Sequence, residues 1–240
     1  MPFHVDEYIN SDKNVKIGED IYRKLLETPP TWVEPCGSVV DSEDVLDKDL
    51  TEAPLRYDQL MDNIRLLSEN AAAQTNDFVH IFGESVFKTT NHTKIILGNT
   101  QYYTWLPKWN LEHFKKLDYK TALTTMYENV QMYMMCLEQS VWDQKILGLD
   151  HVERFEHIEV LFRSILCQIQ ETMVQYGIPP QNIERSRMPL VYRGEDMRSN
   201  ATFRTVRDYI WLRSCINGAE NVAQISLHLK QNMDKMEMKT

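Results

Sequence analysis

Apolar residues recur at three- and four-residue spacing along four long stretches of the chain, which is the repeat of amphipathic helices. The first predicted helix spans residues 53–82, with Thr51 as its N-cap and Gly83 as its stop. The second spans residues 118–147, and Gly148 follows it in the position of a left-handed C-cap. Both are several times longer than the usual three turns.

Two further helices complete the pattern. The third begins at Asp150, whose carboxylate would cap the helix while Glu153 completes a capping box, and it ends before Gly177. The fourth spans residues 200–233, with Gly218 weakening it locally by about 1 kcal/mol. Helices of this length are stable only when their apolar faces pack on one another. We therefore expect an all-α fold, a long-chain four-helix bundle with one shared core.

The connections between the helices indicate the topology. The second and third helices are joined by two or three residues, which makes them antiparallel neighbours. The other two connections have about 35 and about 22 residues, enough to run the length of a helix of about 45 Å. A long, a short and a long connection predict an up-up-down-down bundle with two long crossover loops.

An acidic arm precedes the predicted bundle. Residues 1–52 contain 13 Asp and Glu residues against 5 Lys and Arg residues, which accounts for most of the net charge of −9. The arm contains one short helical candidate, from Gly18 to Glu27, followed by an acidic stretch typical of solvated linkers. We expect a flexible acidic arm over residues 1–52 and a four-helix bundle over residues 53–240.

Composition excludes several classes of protein. Only 8 of the 240 residues are Gly, too few for a glycine-rich phosphate-binding fold. No apolar run approaches the ~18–20 residues that cross a bilayer. Neither part of the chain has the basic footprint of a nucleic-acid-binding protein. The opening residues lack the basic and apolar regions of a standard signal peptide.

With four long helices and this order of connections, residues 53–233 resemble a long-chain helical cytokine. Within that class the layout is most similar to the ciliary neurotrophic factor and leukaemia inhibitory factor branch, and to the Unpaired-type ligands of insects. The resemblance is architectural. It implies a secreted, monomeric ligand that assembles receptors with immunoglobulin-like or fibronectin-type ectodomains and activates JAK–STAT-type signalling. It implies no enzymatic activity, cofactor or membrane insertion.

The resemblance also indicates candidate receptor-binding residues. In the leukaemia inhibitory factor branch, the fourth helix opens with a Phe followed three residues later by Lys. Here Phe203 matches the Phe, whereas Val206 occupies the second position, between Arg204 and Arg207. Arg204, Arg207 and Trp211 share one helical face, and Arg and Trp are enriched at binding hot spots. The candidate receptor-binding residues are therefore Phe203, Arg204, Arg207 and Trp211. The alternative is a solvated helix face with Trp211 partly in the core.

The sequence contains no recognisable catalytic or metal-binding motif, so we expect no enzyme, no metal and no cofactor. Cys36, Cys136, Cys167 and Cys215 include no CxxC pair. Counting residues outward from the tight turn between the second and third helices places Cys136 and Cys167 at different levels along the two helices. A disulfide between them is therefore disfavoured. The helix-borne cysteines are then small buried apolar residues, or disulfides form that involve Cys36.

Two sequons, at Asn91 and Asn200, are candidate glycosylation sites. They favour an extracellular protein, exported without a leader or with a leader missing from this chain. The rival hypothesis is a cytoplasmic, all-helical adaptor that acts through protein–protein contacts. A group of aromatic residues in the first long connection is expected to fix that loop to the bundle: Tyr102, Tyr103, Trp105 and Trp109.

Overall fold

The structure is a computed structural model, which describes residues 18–37, 56–87 and 104–237, with side chains as far as residue 232. Over these ranges the chain is helical and contains no strand, so the predicted all-α class is confirmed. No helix in these ranges is long and apolar enough to cross a membrane. The expected N-cap Thr51 lies outside the described residues, as do Tyr102 and Tyr103.

Four long helices form the helical body, and shorter ones lie in the arm and in the connections. The long helices are α2 (Tyr57–Phe87), α4 (Tyr119–Ile146), α5 (Val152–Gln175) and α8 (Ala201–Glu237). The short ones are α1 (residues 18–27), α3 (Leu111–Phe114), α6 (Leu190–Arg193) and α7 (Glu195–Ser199).

Local signals set most of the helix ends. The side chain of Asp118 caps α4 by accepting a hydrogen bond from the Thr121 N–H at 2.9 Å. Gly148 follows α4 with φ +59°, and Gly177 follows α5 with φ +67°. Left-handed conformations are those that glycine adopts without steric cost. The predicted C-cap at Gly148 is therefore confirmed.

Two predicted ends differ from the structure. Helix α2 continues through Gly83, which is buried, to Phe87. Aromatic packing of Phe82 against Phe155 and of Phe87 against Tyr209 holds this last turn, so tertiary contacts outweigh the weak helix propensity of glycine.

At the start of α5, the capping residue is His151 and not Asp150, and His151 makes no side-chain capping bond. The imidazole of His151 instead lies 5.3 Å from the Phe82 ring, and its Nε2 lies 2.9 Å from the Ser85 hydroxyl. Packing against α2 therefore fixes this end in place of the predicted capping box.

Helix α2 packs against α8 and against α5, in both cases in the antiparallel direction. Towards α8, Asp62 near the start of α2 pairs with Lys230, and Phe87 at its end contacts Tyr209. Towards α5, Tyr57 contacts Tyr176 at 5.3 Å, whereas Phe82 contacts Phe155 at 5.5 Å.

Helix α4 packs against the same two helices, α5 and α8, and again runs opposite to both. The Tyr127 hydroxyl donates to Gln170 of α5 at 3.2 Å, and Lys145 pairs with Glu156 at 2.6 Å. Towards α8, the Ser140 hydroxyl donates to Asp208 at 2.9 Å.

Gly218 in the middle of α8 is required by close packing. A Cβ at this position would lie 2.4 Å from a ring carbon of Tyr133, well inside van der Waals contact. The Tyr133 ring therefore occupies the space that any side chain at position 218 would fill. The glycine permits a contact between α4 and α8, and α8 continues through it without a break.

Part of the N-terminal arm is packed, which differs from the expected flexible arm. Trp32 is fully buried, and its indole N–H donates to the Ile183 carbonyl at 2.8 Å. Tyr22 of α1 is buried against Trp142 of α4 and donates to Gln139 at 3.0 Å. These few aromatic side chains supply apolar surface that the acidic composition of the arm conceals. The rest of the arm lies outside the described residues.

Candidate functional site

Three of the four candidate receptor-binding residues are buried. Arg204, Arg207 and Trp211 are 7%, 0% and 1% exposed, whereas Phe203 is 53% exposed. The expectation that the two arginines and Trp211 form a free face is thus corrected. Residues 206–212 of α8 are all buried, because α6 and the end of the first long connection cover the side that faces away from the other helices.

Arg207 belongs to an ionic cluster inside the protein. Its guanidinium pairs with Asp143 of α4 at 2.7 Å and with Asp208 at 2.6 Å, and it donates to the Tyr192 carbonyl at 2.9 Å. Its charged carbon lies 4.6 Å from the centre of the Trp211 ring. The cluster joins α4, α6 and α8, and it has no exposed cation to offer a partner.

The electrostatics of this cluster follow from burial and mutual charge. Burial lowers the pKa of Arg207, but the adjacent carboxylates of Asp208 and Asp143 outweigh it, so the net shift is upward and the guanidinium stays charged. Burial raises the pKa of Asp208, with Arg207 opposing that shift. Two carboxylates against one guanidinium leave Asp208 short of compensation, and its Oδ2 has no hydrogen-bond partner among the described residues.

The first turn of α8 remains accessible. The Asn200 side chain is exposed, and its Oδ1 accepts a hydrogen bond from the Phe203 N–H at 3.1 Å, as an N-cap does. Glycosylation at Asn200 stays a prediction, and Asn91 lies outside the described residues.

The side chain of Arg204 is directed away from solvent and donates a hydrogen bond to the Arg198 carbonyl, in keeping with its burial.

Exposed apolar residues also lie in α6, whose Tyr192 carbonyl accepts a hydrogen bond from Arg207, one turn after Phe203 in α8. Leu190 and Val191 are 71% and 66% exposed, the highest values among the large apolar residues that the structure describes. Their neighbour Tyr192 points inward, where it stacks on Trp105 at 6.1 Å and contacts Trp211 at 6.5 Å. Because Tyr192 anchors α6, Leu190 and Val191 are held outward. We call Leu190, Val191 and Phe203 the crossover surface.

The crossover surface was only partly anticipated, through Phe203. The sequence signal for the rest is an apolar pair between Pro189 and Gly194. A four-residue helix has too few positions for periodicity to distinguish an inward from an outward side chain.

Arg185 clamps the arm and the second long connection onto α4. Its guanidinium makes a bidentate pair with Glu138 at 2.7 and 2.8 Å and donates to the Thr28 carbonyl at 2.6 Å. It also lies over the rings of Trp142 and Trp32, at 4.8 and 5.8 Å. With the arm on one side and the connection on the other, the outer face of α4 is closed to solvent, and residues 130–144 are buried throughout.

The cysteines divide into a linked pair and a buried pair. A disulfide joins Cys36 of the arm to Cys167 of α5. Of the two alternatives, a disulfide at Cys36 is therefore the one that holds for Cys167, which is not a free buried residue. Cys136 and Cys215 are free and buried. Burial raises the pKa of both thiols, which keeps them protonated and unreactive.

Comparison with known proteins adds no relative, since no family model, curated protein or solved structure matches the chain.

Proposed function

We propose that this protein is a secreted, cytokine-like ligand that brings receptor chains together at the cell surface and activates JAK–STAT-type signalling. The observation that carries the proposal is the packing order of the long helices. Helices α2 and α4 each run opposite to both α5 and α8. This supports an up-up-down-down bundle, in which the long connections of residues 88–118 and 176–200 are the two crossovers.

The disulfide supports export. Bonds such as Cys36–Cys167 form and persist in oxidising compartments and are rare in the cytosol. Cys36 is exposed, so in the cytosol this bond would meet cellular reductants directly.

The crossover surface is the proposed receptor contact. Leu190, Val191 and Phe203 expose apolar side chains at the end of the helical body where α8 begins. Buried aromatic packing and the Arg207 cluster hold the supporting elements in place, so binding would order few additional groups. Exposed apolar residues on other helices, Leu66 of α2 and Val174 of α5, give separate faces for a second receptor chain. Signalling would then arise from geometry and multivalency.

The first experiment asks whether the protein leaves the cell that makes it. Medium and lysate of expressing cells are compared by immunoblotting, and glycosidase treatment reports on Asn91 and Asn200. We expect the chain in the medium. Complete retention in the lysate would overturn the proposal.

A second experiment tests the surface. The purified chain is applied to cells of the source organism, and STAT tyrosine phosphorylation is measured. The double variant Val191→Glu/Phe203→Glu should lose at least tenfold in potency, about 1.4 kcal/mol. Leu227→Glu, which changes another exposed apolar residue of α8, is the matched control and should retain potency. Equal potency of the two variants would remove the crossover surface from the proposal.

The alternative is an intracellular helical adaptor. The free thiols of Cys136 and Cys215 favour it, because unpaired cysteines are common in reducing compartments. Under this alternative the protein stays in the lysate with Cys36 and Cys167 reduced, which thiol labelling of a freshly quenched lysate would detect.

A further inference from the structure

Three side chains that can ligate a metal meet where the arm joins α5, on a different part of the molecule from the crossover surface. Cys36 lies in the last described turn of the arm, Cys167 on α5, and Glu171 one turn further along α5. One donor atom from each lies within 4.8 Å of the other two. Glu171 has no ion-pair partner among the described residues.

The donor set matches a particular metal once the disulfide is reduced. Two thiolates and one carboxylate are ligands of Zn²⁺, which is held by three protein groups and a water in open tetrahedral sites. Thiolate ligands favour zinc over magnesium or calcium. Cys167 and Glu171 are spaced i, i+4, so their side chains share one face of α5 and converge without any change in the helix.

The required movement is small and occurs at the surface. Zinc–sulfur bonds of about 2.3 Å in a tetrahedral site place the two sulfurs about 3.8 Å apart. Cys36 is exposed and belongs to a turn, whereas the indole of Trp32 fixes the arm four residues earlier. The Cys36 thiolate can therefore move away from Cys167 without disturbing the core.

We propose that Cys36, Cys167 and Glu171 form a zinc site when the disulfide is reduced, so that the metal replaces the S–S bond as the link between the arm and α5. In the reduction, a thiolate of a dithiol reductant attacks Cys36 Sγ and Cys167 leaves as a thiolate. The second thiol of the reductant resolves the mixed disulfide, and the reductant becomes the disulfide. Zinc then binds both thiolates and the carboxylate, and the thiol protons pass to solvent. This inference does not depend on the proposed function.

The test uses the full chain, reduced anaerobically with a trialkylphosphine that is then removed. Zn²⁺ binding is measured by competition with a chromophoric chelator, and Co²⁺ is the spectroscopic probe through its thiolate charge-transfer absorption. We expect one zinc per reduced chain and none for the oxidised chain. Cys36→Ser and Cys167→Ser should abolish the binding and the absorption, and Glu171→Gln should weaken zinc binding at least tenfold.

Two matched controls define the site. Glu153→Gln changes another exposed carboxylate of α5, and Cys136→Ser/Cys215→Ser removes the buried thiols; both should bind zinc as the wild type does. The proposal is overturned if the reduced wild type binds no zinc, if the Cys36→Ser chain binds it equally, or if Glu171→Gln has no effect. Circular dichroism checks folding, and Glu171→Gln, which retains both thiols, decides the matter where a serine variant does not fold.

Discussion

Arg207 and Trp211 are placed where periodicity alone would not put them. The spacing of apolar and polar residues along a helix shows which side is buried only when the opposite side faces water. Tyr192 of α6 and Trp105 cover the outer side of α8 here, so the side opposite the apolar stripe is also buried. A buried arginine is then tolerated because Asp143 and Asp208 compensate its charge.

Loss of the Arg207 charge should destabilise the protein strongly. Arg207→Met leaves Asp143 and Asp208 buried without a cation, so we expect the free energy of unfolding to fall by about 3–5 kcal/mol. Urea titration followed by circular dichroism measures the change. Arg213→Met, at a half-buried position of the same helix, should cost less than about 1 kcal/mol. Equal effects of the two variants would contradict the role given to the cluster.

The Glu159 carboxyl group should contribute more to the stability of the protein at mildly acid pH than at neutral pH. Burial raises the pKa of Glu159, and the nearby Glu138 carboxylate raises it further. The hydrogen bond from Thr31 acts in the opposite direction, but the net shift is upward. Because the folded state holds the proton more tightly than the unfolded chain, the contribution to stability is full below the usual glutamate pKa. It is lost as pH rises through the raised value.

Glu159→Gln tests this sign, since the amide oxygen can still accept from Thr31 but carries no charge. Denaturant midpoints measured from pH 4 to pH 8 should decline less with rising pH in the variant than in the wild type. Glu153→Gln, at an exposed position of α5, is the control and should leave the slope unchanged. A parallel decline in wild type and Glu159→Gln would contradict the assignment.

At the scale of elements, the long helices were predictable because each carries many repeats of one spacing. Asp118 and Gly148 bound α4 by local chemistry, and the sequence displays both signals. The end of α2 was not predictable, because Phe87 is held by Tyr209 of a distant helix. The packing of the arm escaped prediction for a similar reason, since one tryptophan among acidic residues forms no periodic pattern.

The arm should contribute to stability through Trp32. Trp32→Ala removes a fully buried indole and its bond to Ile183, so we expect a loss of about 3–5 kcal/mol. Ile21→Ala, at a 43% exposed position of α1, is the control and should change stability by less than about 1 kcal/mol. Thermal unfolding by circular dichroism provides the readout. A wild-type melting curve for Trp32→Ala would contradict the role given to Trp32 and would favour the predicted flexible arm.

Gly218→Ala tests the contact between α4 and α8. Alanine favours helix by about 1 kcal/mol over glycine, but its Cβ would lie against the Tyr133 ring. Overpacking of this kind costs about 1–3 kcal/mol, so the net effect should be destabilising. Asn217→Ala, at the exposed neighbouring position, should be neutral or slightly stabilising. Denaturant unfolding measures the change in the free energy of unfolding for both variants. A stabilised Gly218→Ala chain would show that α4 and α8 can move apart at little energetic cost.

For the whole molecule, the all-α class followed from the length and periodicity of the predicted helices, whereas the candidate surface could not be predicted from the sequence. The helical pattern determines which residues face a shared core, but it carries no information on what covers the outer sides. Here the arm covers α4, and α6 covers α8, so the receptor face expected at Arg204, Arg207 and Trp211 is interior. The covering segments are short and irregular, and Leu190 and Val191 are exposed on one of them.

The disulfide is the covalent part of this covering, and its contribution should be large. Cys36 and Cys167 are separated by 131 residues, and closing a loop of about 100 residues restricts the unfolded chain by up to about 4.7 kcal/mol. Trp32 and Arg185 still hold the arm in the reduced protein, so we expect unfolding to remain cooperative. The free energy of unfolding should fall by about 2–5 kcal/mol on reduction.

Urea unfolding of the wild type with and without phosphine, in buffer with a chelator to exclude metal, measures this change in free energy. Cys36→Ser should match the reduced wild type and show no response to phosphine, which separates the bond from other effects of the reductant. If reduction left the wild-type midpoint unchanged, the bond would not stabilise the fold, and the loop-closure argument would be contradicted.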